Sequence, residues 1–193
     1  MTHDRNPFTE FKKWWKHASV RVKLPEAMTL ATATKKGRPS ARTVFLKAFD
    51  EKGFVFFTNY GSRKGKELAE NPYAALLFFW KDIGRQVRIT GKVERISKAE
   101  SEKYFHSRSR ESQLGAWASL QSTPIASRKE LMRKYALLEK KFKGEAIPLP
   151  PHWGGFRLKP DSFEFWQEGE HRLHDRVTYK AGKGKWGLNR LAP

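Results

Sequence analysis

From Met28 onward the chain is cut into short apolar runs, each closed by turn-forming residues: MTLATAT before KKGRP, RTVFLKAF before DEKG, FVFFTN before YGSRKG, YAALLFFW before KDIG, then RQVRITGKVERI. Runs this short and evenly spaced, rich in β-branched and aromatic side chains, predict antiparallel strands in a meander or small barrel. The same texture returns after the loop EAIPLPPHWGG, in FRLKP, SFEFWQ, HRLHDRVTY and WGLNRLAP, so strands are expected again over about 154–193.

Helices flank this β framework. Asn6-Pro7 followed by Phe8, Phe11, Trp14 and Trp15 reads as a capped amphipathic helix over about 7–17. A short helix, KELAEN, is closed by Pro72. Ser97 to Glu100 and Ser127 to Glu130 both match the S-x-x-E capping pattern and open SKAESEKYFHSR and SRKELMRKYALLEKKFKG, which predicts a helical insertion over about 97–143. No internal repeat, low-complexity linker or composition break divides the chain. With 193 residues it can bury a real core, so one mainly β (α+β) domain over 1–193 is the economical expectation.

Lys and Arg total 39 against 20 Asp and Glu, a formal charge of +19, and anionic partners follow from it. A phosphate monoester carries only about −1.5 to −2, so even two of them leave most of the excess unmatched. Placed charges therefore say more than the total. With no cysteine, disulfides, thiolate metal sites and cysteine nucleophiles are excluded. No apolar run approaches the roughly 20 residues of a membrane span, and MTHDRNPFTEFKKWW lacks the apolar core of a secretory signal. A cytoplasmic protein without membrane contact is expected.

Three sets of placed charges stand out. In EHRLHDR only Leu173 is apolar, and if HRLHDRVTY is a strand, Arg172, His174 and Arg176 share one face while Leu173, Asp175 and Val177 share the other. Two guanidiniums around an imidazole suit an anionic or hydroxylated aromatic ligand. Tyr104, Arg108 and Ser112, spaced i, i+4 and i+8, would share a helix face and form a donor set for phosphate. Arg42 and Lys47 bracket an apolar strand, and Gly61, Ser62, Arg63 and Lys64 place backbone N–H groups and cations at a loop-to-helix junction. Walker spacing is absent, as is a G-x-S-x-G elbow. His171 and His174 lack a third ligand at metal-binding spacing, so no metal is expected.

Taken together, FEFWQEGEHRLHDR resembles the signature of the pyridoxamine (pyridoxine) 5′-phosphate oxidases, and RTVFLK, FTNYGSRKGKEL, RQVRITGKVERI, YFHSRSRESQLGAW, QS, WGGFRL and the terminal RLAP look like that family's blocks in its order. The resemblance runs from about residue 7 to the end. It implies an FMN-binding split β-barrel with flanking helices, forming a homodimer with FMN at the interface. By motif position, the resemblance places Arg42, Thr43, Val44, Phe45, Leu46, Lys47, Phe57 and Thr58 along the flavin, with Arg63 and Lys64 on its phosphate. Gln86, Gln121, Ser122, Trp166 and Arg176 would complete the cofactor site, some from the partner chain.

The resemblance further implies that Lys47, Tyr104, Arg108 and Ser112 meet the phosphate of a small pyridine substrate. Arg172, Leu173 and His174 would lie at its ring, with Arg172 and His174 as the catalytic pair. The implied reaction is oxidation of pyridoxamine or pyridoxine 5′-phosphate by O2, giving pyridoxal 5′-phosphate and hydrogen peroxide. Two positions depart from the family's usual pattern. Members usually carry an N-terminal extension that closes over the substrate, whereas six residues precede Pro7 here; and Phe57 is often Tyr. Two other readings are a flavin oxidase of the same barrel acting on another aromatic substrate, as in phenazine pathways, and a basic nucleic-acid-binding module. Retention of the substrate set argues against the first; aromatics that read as core argue against the second.

Overall fold

The computed structural model describes residues 4–193 and shows a curled antiparallel sheet with helices around it. Helix α1 (Pro7–Ala18) leads into β1 (Ala27–Ala33), β2 (Pro39–Phe45), the short β3 (Ala48–Asp50) and β4 (Gly53–Asn59). Helix α2 (Arg63–Glu70), β5 (Tyr73–Trp80) and β6 (Arg85–Arg95) follow. Three helices, α3 (Lys98–Ser107), α4 (Arg110–Ala118) and α5 (Arg128–Lys141), precede β7 (Trp153–Gln167), β8 (Asp175–Ala181) and β9 (Trp186–Leu191). Across the sheet the order is β2-β1-β5-β6-β7-β4-β3, and β8 and β9 branch from β7.

Two irregularities curl this sheet, and both fall where the sequence reading expected something simpler. FRLKP and SFEFWQ, expected as two strands, are one 15-residue strand, β7. Its first part pairs with β4, from Trp153 opposite Asn59 to Leu158 opposite Phe54; its second pairs with β8, from Ser162 opposite Lys180 to Gln167 opposite Asp175. The handover falls at Pro160, which has no N–H to give, and the register against β6 shifts there between Thr90 and Gly91. Position 91 must be glycine because a Cβ would lie 2.0 Å from the Lys159 carbonyl oxygen. RTVFLKAF, expected as one run, breaks at Leu46-Lys47. There the Leu46 N–H bonds the Glu26 oxygen and the Lys47 N–H bonds the Val55 oxygen, both at 2.9 Å. Within two residues the chain passes from β1 to β4, which closes the curl.

The interior follows from alternation. In β5 the residues Ala74, Leu76, Phe78 and Trp80 point inward and are buried, and Val87, Ile89, Phe163 and Phe165 join them from β6 and β7. Helix α1 plugs one end. Asn6 Oδ1 accepts the Phe8 N–H at 2.9 Å and Pro7 opens the first turn, as the sequence predicted. Phe11 then lies edge-on to Phe54 with centroids 4.9 Å apart, and Trp14 meets Phe165 at 5.2 Å.

The insertion contains three helices rather than the two expected. Ser97 and Glu100 form a full reciprocal capping box, and Ser127 Oγ accepts the Glu130 N–H at 3.1 Å. Between them Arg108 turns extended and Ser109 caps α4 separately. A second apolar cluster, Phe105, Leu114, Phe142, Ile147 and Trp153, seats these helices on the sheet.

Candidate active site

A cleft of about 800 Å³ opens where the Leu46-Lys47 corner faces the helical insertion. The strands supply Thr43, Val44, Phe45, Lys47, Phe57 and Thr58; α2 supplies Lys64; the insertion supplies Tyr104, Arg108, Ser112 and, beyond α4, Gln121. No Asp or Glu lines it, while Lys47, Lys64 and Arg108 do. An acid-free wall with three cations is built for an anion.

Tyr104, Arg108 and Ser112 do not share one helix face, contrary to the periodicity argument. Helix α3 ends at Ser107, and Ser112 lies in the first turn of α4. They meet at the cleft nonetheless, because the break at Arg108 folds α4 back around it. Tyr104 stacks on Phe57 with centroids 3.9 Å apart, and Trp153 continues the stack 5.4 Å beyond Phe57. The Arg108 guanidinium lies 4.8 Å from the Trp153 ring centre, and its Nη1 is buried without a hydrogen-bond partner. Burial lowers the Arg108 pKa, and the Tyr104 hydroxyl opposes that. Lys64 Nζ donates to Thr58 Oγ1 at 3.1 Å and Gln121 Oε1 at 2.9 Å, both neutral, and its pKa is lowered by burial and then by Arg42. An orphaned guanidinium nitrogen and an ammonium bonded to neutral groups fit the phosphates of a cofactor and a substrate.

Other expected residues stand behind or beside this cleft. Leu46 is buried in the main core. Arg42 donates from Nη1 to the Leu30 oxygen at 3.2 Å and from Nη2 to Glu67 Oε2 at 3.3 Å. Arg63 pairs with Glu67 Oε1 at 2.9 Å, and with Ser122 it lines a shallower neighbouring pocket.

A second group lies across the outer face of β6, β7 and β8. Phe79, Gln86, Trp166, Arg176 and Leu191 are consecutive register partners and form a single row over five strands. Arg176 donates from Nε and Nη2 to the buried Glu164 Oε1 at 3.0 and 2.8 Å, and Arg88 holds the other carboxylate oxygen. The expected strand HRLHDRVTY begins only at Asp175. Before it the chain makes a tight turn, with His171 and Arg172 at φ of 53° and 65° and the Leu173 N–H bonded to the Glu170 oxygen at 2.9 Å. Gln167 already pairs with Asp175, so residues 168–174 must form the hairpin loop, and the period-2 division of Arg172 from Leu173 does not apply. Trp166 and His174 rings lie 4.6 Å apart. His174 Nδ1 accepts the Gly169 N–H at 3.3 Å, which leaves the ring proton on Nε2. None of Gln86, Trp166, Arg172, Leu173, His174 and Arg176 lines the cleft.

The carboxylates that anchor these arginines, Glu67 and Glu164, were not singled out in the sequence. Glu67 carried a signal, since it stands i+4 from Arg63. Trp153, which closes the aromatic stack, opens the block WGGFRL but was not itself singled out.

Residues 16–143 match the family described as pyridoxamine 5′-phosphate oxidase. Residues 153–193 match its pyridoxine 5′-phosphate oxidase C-terminal dimerisation region. The chain belongs to the pyridoxamine 5′-phosphate oxidase family. As a member it is an oxidoreductase with FMN as its cofactor. It is 53% identical over 192 residues to the pyridoxine/pyridoxamine 5′-phosphate oxidase of Trichormus variabilis, covering 98% of this chain and 90% of that one. The crystal structure of PhzG from Burkholderia lata 383 in complex with tetrahydrophenazine-1-carboxylic acid superposes with a TM-score of 0.94 at 36% identity, covering 98% of this chain and 94% of that one. A pyridoxamine 5′-phosphate oxidase-related, FMN-binding protein from Nostoc punctiforme shares the fold, with a TM-score of 0.78 at 17% identity over 98% and 100% of the two chains. The architecture is thus the split barrel of this family. Among the described residues no helix is long and apolar enough to cross a membrane.

Proposed function

We propose that this protein oxidises pyridoxamine and pyridoxine 5′-phosphates to pyridoxal 5′-phosphate, with O2 as acceptor and hydrogen peroxide as product, working as a homodimer whose site combines both groups of residues. The observation that carries this reading is the acid-free cleft with the unsatisfied Arg108 Nη1 beside Tyr104 and Ser112, a donor set waiting for a phosphate. When bound along this wall, FMN would supply a hydride acceptor for the substrate's 4′ carbon and a route for the electrons to O2.

The chain's own contribution is positional. Lys47, Tyr104, Arg108 and Ser112 bind the substrate phosphate, which fixes the ring at a set depth in the cleft. Thr43, Val44, Phe45, Phe57 and Thr58 form the wall against which the flavin is held, and Lys64 and Arg63, with Gln121 and Ser122, serve its phosphate end. Arg172 covers the substrate ring, and His174, with its proton on Nε2, donates to a ring substituent. Gln86, Trp166 and Arg176 approach the same flavin from the second protomer. Holding two rings in reactive register accounts for most of what a protein adds to such a reaction.

The test is aerobic incubation of the FMN-loaded protein with each phosphate, following pyridoxal 5′-phosphate and peroxide. Equal amounts of the two products support the reading; turnover of neither substrate by a yellow, FMN-loaded protein sinks it. The likeness to PhzG gives a second reading, oxidation of a phenazine-type carboxylic acid by the same barrel. That reading predicts turnover of a tetrahydrophenazine carboxylate and none of either phosphate.

A further inference from the structure

Glu67 stands one turn beyond Arg63 on α2, is 4% exposed, and joins three elements. Its Oε2 accepts from Thr32 Oγ1 of β1 and from Ser40 Oγ of β2, each at 2.5 Å, and from Arg42 Nη2 at 3.3 Å. Its Oε1 accepts from Arg63 Nε at 2.9 Å. Burial alone raises its pKa, but donors from Ser40, Thr32, Arg63 and Arg42 outweigh that and hold it down to about 2. The carboxylate is therefore ionised at neutral pH.

A buried carboxylate facing two guanidiniums fixes their directions and cancels part of their charge. Lys64, the third cation, has its pKa lowered by burial and then by Arg42. Glu67 does not line the cleft, although with Glu70 it lines the neighbouring pocket beside Arg63 and Ser122.

We infer that Glu67 is the positioning residue for the cofactor's phosphate: it orients Arg42 and Arg63, so that these two guanidiniums and Lys64 act together on one anion. This rests on the FMN reading above. Two effects of removing the carboxylate compete. The added net positive charge strengthens attraction for phosphate, but solvent and salt screen it at an open cleft. Lost orientation removes charge-assisted hydrogen bonds, which are worth about tenfold to a hundredfold in affinity. The second effect dominates.

The experiment titrates FMN and riboflavin, which lacks the phosphate, into flavin-free wild type, Glu67→Gln and Ser40→Ala, reading flavin fluorescence. In Glu67→Gln the FMN Kd rises about tenfold or more while the riboflavin Kd stays within about twofold. Ser40→Ala, which removes one donor and keeps the charge, shifts FMN alone by about threefold and serves if Glu67→Gln does not fold. Equal weakening of both flavins would make Glu67 merely structural, and unchanged or tighter FMN binding would show that net charge governs; either overturns the inference. A wild type that binds FMN no better than riboflavin overturns the cofactor reading itself, and is seen before any variant is made.

Discussion

At the scale of single residues, Arg108 shows how a site costs stability. Its Nη1 is buried with no partner, and an unsatisfied buried charged group is destabilising until an anion arrives. Arg108→Met keeps most of the packing on Trp153 and removes the orphan. We expect the ligand-free variant to melt at the same or a higher temperature, by about 2–4 °C for each kcal/mol relieved, while KM for the phosphorylated substrate rises and FMN affinity is unchanged. Calorimetry with steady-state kinetics reads all three, and a lower melting temperature with unchanged KM would mean the guanidinium is structural. The set to which Arg108 belongs was legible in the sequence, but through an argument the structure does not support. Spacing by four suggested one helix face, whereas the three residues converge because the chain breaks between α3 and α4. The orphan itself was not legible, since it depends on the Trp153 ring arriving from β7.

At the scale of elements, strands whose faces differ were read well. The run YAALLFFW became β5 with the same limits because its alternate residues enter the core. The bend in β7 and the corner at Leu46-Lys47 were not readable, because both are set by pairings with strands far away in the sequence. Helix α2 is tied to β1 and β2 through the single carboxylate of Glu67. The folded pKa of about 2 lies below the ordinary value of 4.5, so this contribution is present above about pH 4.5 and is lost as pH falls toward 2. It amounts to about 3 kcal/mol at neutral pH. Chemical denaturation of wild type should therefore weaken more steeply between pH 4.5 and 2 than that of Glu67→Gln, and parallel curves would show that the carboxylate is not so depressed.

At the scale of the whole molecule, the two groups of residues are separate on one chain, and residues 153–193, which carry the second, match the dimerisation region of the family. If each site takes its cleft from one protomer and its β7–β8 turn from the other, Arg108→Met and Arg172→Ala complement each other. Unfolding and refolding an equal mixture of these two impaired proteins makes half the dimers mixed, each with one intact site, so at a substrate concentration where neither variant alone turns over, about a quarter of wild-type activity returns. No recovery would place both groups in the same protomer's site.

The fifteen-residue β7 has a consequence for how the protein is made. It is the common neighbour of β6, β4 and β8, yet it follows β4 and β6 in the chain, separated from β6 by three helices. A nascent chain carrying β1 to β6 has β4 and β6 with one edge each unpaired, because the strand that lies between them is not yet made. Closure must therefore wait for β7, and it depends on contacts between distant parts of the chain, which form slowly. During that interval two open strand edges are the chain's point of exposure to aggregation and to chaperones.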